Sequence, residues 1–188
     1  MQPSTFILAF FTIAIIQRLL ETFARREKAV GTVEKGWTFT FLFILHAVMF
    51  FGALAEYFVY RPSLSPVVSG LGLLLYISGL AGRNWAIRTL GRYWSLHIEI
   101  RERHKLVMEG PYKYLRHPAY LSIIFEVVGI PLVANAYLTL IFVLISYIPV
   151  LLIRMYYEEK KLINKFGQEY MDYKARTWAL FPTKKLTK

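Results

Sequence analysis

Residues 119–153 read AYLSIIFEVVGIPLV-ANA-YLTLIFVLISYIPVLLI, two apolar runs with Ala134, Asn135 and Ala136 between them. Glu126 is the one charged residue in either run. Runs of this length approach the roughly 20 residues that cross a bilayer core of about 30 Å, and asparagine accepts the left-handed backbone of a tight turn. The pattern predicts a transmembrane helical hairpin that turns at Asn135.

Three further apolar runs precede the hairpin: Thr5 to Leu20, Thr38 to Tyr60 and Leu64 to Ala81. The hairpin arms, Ala119 to Val133 and Tyr137 to Ile153, bring the candidate spans to five. The chain has 188 residues, of which 56% are hydrophobic and 19% charged, a composition too apolar for a soluble domain. We therefore expect an all-α integral membrane bundle of about five transmembrane helices.

The 23 lysines and arginines are distributed unevenly between the two ends of these spans. Five lie between Arg18 at the end of the first span and Lys35, eight lie between Arg83 and Arg116, nine lie from Arg154 onward, and Arg61 alone lies at the other end of the spans. The positive-inside rule then predicts an external N-terminus and a cytoplasmic C-terminus. Basic residues that flank spans also account for the net charge of +11 without a nucleic-acid partner. The first residues lack a basic n-region and a cleavage motif, so we expect the first span to be retained.

Composition and spacing exclude several kinds of site. The chain has no cysteine, which removes disulfides, thiolate metal sites and cysteine nucleophiles. Gly70 and Gly72 do not form a dinucleotide-binding motif, because Leu75 occupies the place of the third glycine and no strand pattern precedes them. The sequence contains no P-loop, HExxH helix or GxSxG turn, and no metal site is expected.

The segment from Gly82 to Pro118 is long and aromatic for a connection between two spans. One interpretation is structural, with Pro118 in the first turn of the fourth helix and basic flanking residues at the membrane interface. The other is functional. Gly110-Pro111 turns the loop back and gathers three side chains around a small molecule with an anionic group: Tyr112, His117 and Tyr120. The residues themselves leave both interpretations open.

Arg154 and Glu158 continue the fifth span and lie on one helical face. An exposed pair with this spacing is common and contributes only about 0.3 to 0.5 kcal/mol. The short hairpin, however, brings the end of the fifth span beside the start of the fourth. We therefore expect Arg154 and Glu158 to lie near His117 and Tyr120, the alternative being a surface pair.

A small and polar stripe runs along the fourth span and should face the bundle: Ala119, Ser122, Glu126 and Gly129. Glu126 and His46 lie at matching depths, roughly 12 Å from the basic ends of their spans. We therefore expect a hydrogen bond between them. In the alternatives, Glu126 is a neutral acid bonded to backbone beside a separately satisfied His46, or it lines a tunnel for a substrate.

Four groups of residues form one pattern over roughly residues 90–182. They are His104-x-Leu106-Val107-x-x-Gly110-x-Tyr112-x-x-x-Arg116-His117-Pro118-x-Tyr120, Arg154-x-x-x-Glu158-Glu159, Phe166-Gly167-x-Glu169-Tyr170-x-x-Tyr173 and Phe181-Pro182. With the hairpin between the first two groups, the pattern resembles the isoprenylcysteine carboxyl methyltransferase family. The resemblance covers about half of the chain. The three N-terminal spans match only as apolar spans.

The resemblance implies a membrane-bound methyltransferase that uses S-adenosylmethionine. It implies cofactor contacts at His104, Lys105, Leu106, Val107, Tyr112, His117, Pro118, Ala119, Tyr120 and Glu158, with a less regular contact at His97. Arg154 is implied to bind the carboxylate of the acceptor, and Arg154 and Glu158 are the implied catalytic residues. Residues 1–81 then supply three N-terminal spans, and residues 82–188 supply the cofactor-binding loop, the hairpin and the cytoplasmic tail of one integrated domain.

The implied partners are a lipophilic methyl acceptor from the bilayer and membrane lipids, without nucleic acid. The first acceptor candidate is a carboxylate of the isoprenylcysteine type. A lipid phenol, a pyrone, a phospholipid and a thiol stay open, and a hydroxyl acceptor needs His117 or Glu158 as a base. Phospholipid methyltransferases and membrane sterol reductases share the C-terminal pattern loosely, so a nicotinamide-dependent reductase is an alternative, as is a non-catalytic membrane subunit. The expected location is the plasma membrane of a prokaryote or the endoplasmic reticulum of a eukaryote.

Overall fold

The computed structural model describes residues 2–23, 31–34, 37–95, 98–101 and 105–181. Within these ranges five long helices follow the five predicted spans: α1 (Pro3–Phe23), α2 (Trp37–Tyr60), α3 (Pro66–Leu90), α4 (Pro118–Val133) and a continuous helix from Tyr137 to Phe166. The last consists of α5 (Tyr137–Phe142), a π-helical turn (Val143–Tyr147) and α6 (Ile148–Phe166), and α7 (Gln168–Arg176) follows it. Of the helices described, four are long and apolar enough to span a membrane, and the 16-residue α4 is shorter. The predicted helical membrane bundle is confirmed.

Two helices continue beyond their predicted ends. α3 passes Ala81 and reaches Leu90, and the next residue, Gly91, has a φ of +51° that ends it. The predicted apolar run ended at Ala81, two residues before Arg83. The side chain of Arg83 is buried inside the bundle. α6 continues through Arg154 and Glu158, as predicted, and extends further to Phe166.

A two-stranded antiparallel ribbon, absent from the prediction, joins two connections at one end of the bundle. β1 (Gly31–Glu34) pairs with β2 (Ile98–Arg101), with Gly31 opposite Arg101. The same end holds the start of α4 and the C-terminal tail, because the Arg116 amide donates to the Trp178 carbonyl at 2.8 Å. We call this the loop end of the bundle. The central segment and the tail therefore lie together, as the distribution of basic residues predicted.

Glycines bring α3 and α4 into close backbone contact. A Cβ atom on Gly72 would lie 2.6 Å from the Val133 amide nitrogen, and one on Gly129 would lie 2.6 Å from the Gly72 carbonyl oxygen. Ser122 and Glu126 are buried at this interface. The predicted small and polar stripe of α4 thus faces the bundle, and Gly72 serves helix packing.

The hairpin turn forms at Asn135, whose φ is +52°. The Asn135 Oδ1 atom accepts a hydrogen bond from the Ser65 amide at 2.9 Å, and Nδ2 donates to Ser69 Oγ at 2.8 Å. Ser69 Oγ in turn donates to the Val133 carbonyl at 2.9 Å. The predicted turn is confirmed, and its side chain also ties the hairpin to the start of α3.

The predicted hydrogen bond between Glu126 and His46 is wrong, because Arg18 lies between them and contacts both. Glu126 Oε2 lies 3.1 Å from Arg83 Nη1 and 3.4 Å from Arg18 Nη2. Arg83 also pairs with Glu21. His46 Nε2 accepts a hydrogen bond from Arg18 Nε at 3.0 Å. The sequence placed Glu126 and His46 at the correct matching depth in the bundle. It took Arg18 for a residue that flanks the first span.

Candidate active site

A cavity of about 480 Å³ extends from the loop end into the apolar part of the bundle. We call it the bundle cavity. At the loop end its wall is polar and aromatic, formed by Tyr93, Trp94, Ser95, Tyr112, Arg116, His117, Tyr120, Arg154, Glu158, Tyr170 and Tyr173. Further inside, its wall is mostly apolar, formed by Ile15, Leu19, Phe39, Leu42, Phe43, Ala47, Phe50, Phe51, Ile123, Tyr147 and Leu151, and its polar and charged residues are Arg18, Glu21, His46 and Arg83. One space therefore joins two chemically different environments.

The inner part of the bundle cavity opens sideways, beside α2. Phe43 and Phe51 both line it, and their side chains are 45% and 66% exposed on the outer surface of the bundle. α1 contributes Ile15 and Leu19 to the same region. An apolar opening at this height faces the hydrocarbon of a bilayer that the bundle spans. A lipid-like molecule can enter here without passing through water.

The turn at Gly110-Pro111 builds part of the loop-end wall. Gly110 has a φ of +54°, and a Cβ atom there would lie 2.7 Å from Thr89 Oγ1, so the loop folds back against α3 as predicted. The turn buries Tyr112, whose carbonyl oxygen accepts a hydrogen bond from the Tyr173 hydroxyl at 2.7 Å. Burial raises the pKa of Tyr112 and raises that of Tyr173 to about 12. Both phenols therefore stay protonated at neutral pH.

Arg154 and Glu158 meet around the hydroxyl of Tyr120. Arg154 Nε donates to Tyr120 Oη at 3.1 Å, and Tyr120 donates to Glu158 Oε2 at 2.5 Å. Arg154 also donates to Thr38 Oγ1 at 2.9 Å, and its side chain is buried. The surface-pair interpretation is therefore wrong. The predicted approach of the fourth and fifth spans is confirmed.

Glu159, beside Glu158, holds three elements together at the loop end. Its Oε1 accepts hydrogen bonds from Arg116 Nε at 2.9 Å and His117 Nε2 at 3.2 Å, and its Oε2 accepts one from Lys174 Nζ at 2.6 Å. Arg116 also donates to the Lys174 carbonyl at 3.1 Å. The start of α4, the end of α6 and α7 are joined through this one carboxylate.

The residues predicted for the site divide into three sets. Those on the wall of the bundle cavity are Leu106, Val107, Tyr112, His117, Ala119, Tyr120, Arg154 and Glu158. Lys105 is exposed and Pro118 is buried in the first turn of α4, and neither lines the cavity. His97 and His104 lie outside the described residues. The cofactor and acceptor roles of all these residues stay predictions.

Several wall residues were not predicted. Trp94, Tyr170 and Tyr173 belong to segments noted only for their aromatic content or family pattern. Arg18 was taken for a flanking charge, yet it follows Ile7, Phe11 and Ala14 at helical spacing on the buried face of α1. That spacing is the signal that places Arg18 inside the bundle.

Comparison with known proteins identifies the family. The model of the isoprenylcysteine carboxyl methyltransferase family matches residues 71–164, which is half of the chain. The chain belongs to this family. The matched range begins in α3 and ends in α6, so it contains the Tyr112, Tyr120 and Arg154 part of the wall. It excludes α1 and α2, which form the sideways opening.

Three individual proteins show how far the likeness extends. An uncharacterised protein of Bacillus subtilis, YpbQ, is 31% identical over 164 residues, covering 84% of this chain and 94% of that protein. The protein-S-isoprenylcysteine O-methyltransferase B of Arabidopsis thaliana is 36% identical over 117 residues, covering 58% of this chain and 56% of the plant enzyme. The solved eukaryotic intramembrane Ras methyltransferase matches with a TM-score of 0.62 and 25% identity, covering 80% of this chain and 54% of that one. The chain spans about half the length of these two methyltransferases.

Proposed function

We propose that this protein transfers a methyl group from S-adenosylmethionine to a lipophilic acceptor that enters from the bilayer. The main observation in support is the bundle cavity, which joins a polar loop end to an apolar sideways opening and has Arg154 on its wall. A methyltransferase of this kind must bind a polar donor and an apolar acceptor in one place. Membership of the methyltransferase family supports the proposal over a reductase or a non-catalytic subunit.

The loop-end wall fits the methyl donor. Trp94 and Tyr112 offer flat aromatic faces to a purine ring, and Glu158 offers a carboxylate to a hydroxyl or cationic group. The Tyr170 hydroxyl is buried at this wall and has no hydrogen-bond partner among the described residues, so a ligand atom can supply one. When bound, S-adenosylmethionine supplies a sulfonium methyl group that a nucleophile displaces in line.

Arg154 is the residue that we assign to the acceptor carboxylate. A guanidinium can bind a carboxylate through two parallel hydrogen bonds, and Thr38 and Tyr120 hold this one in a fixed orientation. A carboxylate is already ionised at neutral pH and needs no general base. The apolar inner wall excludes water and aligns the acceptor, which is the main contribution that a protein makes to such a displacement.

The hydrogen bonds at the site favour a carboxylate over a hydroxyl acceptor. A phenol or an enol needs a base, and the two candidates are Glu158 and His117. Glu158 accepts a hydrogen bond from Tyr120, and His117 donates to Glu159. Both groups therefore have partners already. We accordingly propose a carboxylate of the isoprenylcysteine type as the acceptor.

We also propose that the loop end faces the cytoplasm, where the methyl donor is available, and that the N-terminus faces outward. The seven basic residues from Arg88 to Arg116 and the nine from Arg154 onward support this orientation. It corresponds to the plasma membrane in a prokaryote and to the endoplasmic reticulum in a eukaryote.

The decisive experiment measures donor binding and methyl transfer with detergent-purified protein. We expect calorimetry to show binding of S-adenosylmethionine and S-adenosylhomocysteine without added metal. We also expect transfer of a labelled methyl group to N-acetyl-S-farnesylcysteine. Binding of NADPH with no response to either sulfur compound contradicts the proposal. Donor binding with transfer to a lipid phenol but not to the carboxylate contradicts only the assigned acceptor.

A further inference from the structure

Tyr147 lines the bundle cavity away from the loop end. Tyr147 is the last residue of the π-helical turn, and its side chain is only 4% exposed. The turn is explained by Pro149, which has no amide proton to donate to the preceding helical turn. Such turns are frequent at functional sites. The surrounding wall combines the apolar Phe50 and Leu151 with the polar His46 and Arg18.

A chain of hydrogen bonds fixes the direction in which the Tyr147 hydroxyl donates. Arg18 Nε, which can only donate, lies 3.0 Å from His46 Nε2, so Nε2 is the bare nitrogen of a neutral imidazole. The proton of that ring is then on Nδ1, which lies 3.2 Å from Tyr147 Oη. A second contact, from Arg18 Nη2 to His46 Nδ1, is longer at 3.5 Å. His46 therefore donates to Tyr147, and Tyr147 accepts.

The proton of the Tyr147 hydroxyl is left without an acceptor. Among the residues that the structure describes, His46 is the one hydrogen-bond partner of Tyr147, and that bond uses an oxygen lone pair. Buried hydroxyl groups normally donate as well as accept, because an unpaired buried donor is costly. Since Tyr147 lines the cavity, a ligand in the cavity can supply the missing acceptor.

The spacing of Tyr147 and Arg154 along the helix axis indicates where that acceptor atom lies in the ligand. Tyr147, Leu151 and Arg154 line the cavity at positions i, i+4 and i+7, one face of a continuous helix. Seven residues at the helical rise of 1.5 Å correspond to about 10 Å along the axis. If Arg154 holds the reactive group of a molecule, the part of that molecule about 10 Å from the reactive group lies beside Tyr147.

We infer that Tyr147 is a specificity-determining hydrogen-bond donor for a carbonyl oxygen in the apolar body of the methyl acceptor. The inference rests on the proposed function, because it takes the bundle cavity as the acceptor site. Arg18 and His46 act as positioning residues, since they fix the imidazole tautomer that turns the Tyr147 proton toward the cavity. A purely hydrocarbon tail, as in farnesylcysteine, is still accepted but leaves this donor unpaired, so a tail of equal length that carries a carbonyl oxygen is the better substrate.

The experiment compares two S-alkyl N-acetylcysteine acceptors of equal chain length. One is saturated, and the other carries a ketone about 10 Å from the carboxylate. We expect the wild-type protein to prefer the ketone, and Tyr147→Phe to lower kcat/KM for it by about ten-fold, the size of one neutral hydrogen bond. Turnover of the saturated acceptor stays within about two-fold. The matched control is Tyr76→Phe, since Tyr76 also has a buried hydroxyl without a partner but does not line the cavity.

The outcomes separate this inference from the proposed function. Equal losses on both acceptors, or a wild-type preference for the saturated chain, overturn the inference. The wild-type preference needs no variant, so it decides the question even if Tyr147→Phe does not fold. Failure of the wild-type protein to bind S-adenosylmethionine overturns the proposed function itself.

Discussion

Arg83 of α3 and Glu126 of α4 form an ion pair at 3.1 Å, and the side chain of each is only 2% exposed. The pair lies beside the glycines that bring the two helices into close contact, because a Cβ atom on Gly79 would lie 2.6 Å from Glu126 Cγ. Charges at this depth in a membrane bundle are costly unless they are paired. The pair therefore holds α3 and α4 in one specific register.

We predict strong coupling between Arg83 and Glu126. Arg83→Met and Glu126→Leu each leave a buried charge with fewer partners, and each should destabilise the protein by about 3 to 5 kcal/mol. The double variant should recover about 1 to 3 kcal/mol of the summed loss. Thermal unfolding of the wild type, both single variants and the double variant in detergent measures this coupling. An exposed pair, Gln168 and Asp172 at 2.8 Å, is the control, with coupling below about 0.5 kcal/mol. Additive losses at the buried pair contradict the prediction.

The positions of the helices could be predicted because apolar runs report burial in lipid directly. What the runs do not report is which polar residues turn inward. Arg18 and Arg83 resemble flanking charges when counted along the chain, and only their helical register with buried residues distinguishes them. The β1–β2 ribbon escaped prediction for a different reason, since four-residue strands far apart in sequence carry too little periodicity.

Part of the site could be predicted from the sequence. The evidence was the spacing of residues on one helix and the sequence pattern of the family. Arg154 and Glu158 share a helix, so their proximity follows from spacing. Tyr120 reaches them from another helix, and the short hairpin at Asn135 made that approach predictable. The role of His46 beside Arg18 and Tyr147 was not predictable, because three separate helices must be placed before their side chains can meet.

We predict that the turn at Asn135 depends on both its backbone and its side chain. Asn135→Gly keeps the left-handed conformation but loses the bonds to Ser65 and Ser69, at a cost of about 1 to 3 kcal/mol. Asn135→Ala adds the strain of a positive φ, about 1 kcal/mol more. Arg61, with a φ of +44°, is the control, and Arg61→Gly should be neutral or stabilising. Equal melting temperatures for the two Asn135 variants contradict a role for the backbone.

We predict that Glu159→Gln loosens the loop end without unfolding the bundle. The neutral amide loses charge-assisted bonds to Arg116, His117 and Lys174, so α7 should become accessible to protease. Affinity for S-adenosylmethionine should fall about ten-fold, because this junction supports the loop-end wall. Glu169→Gln changes an exposed carboxylate and is the control. Unchanged proteolysis and affinity contradict the assigned role of Glu159.

The last prediction concerns Arg154→Lys. A lysine retains the charge but cannot form two parallel hydrogen bonds, so transfer to a carboxylate acceptor should fall by about 10 to 100-fold in kcat/KM, equivalent to about 1.4 to 2.7 kcal/mol. Affinity for S-adenosylmethionine should change little if Arg154 contacts the acceptor alone. Arg88→Lys is the matched control, because Arg88 is exposed and does not line the cavity. Parallel losses of donor affinity and turnover assign Arg154 to the donor side, whereas full turnover in Arg154→Lys shows that the acceptor is not held as a carboxylate.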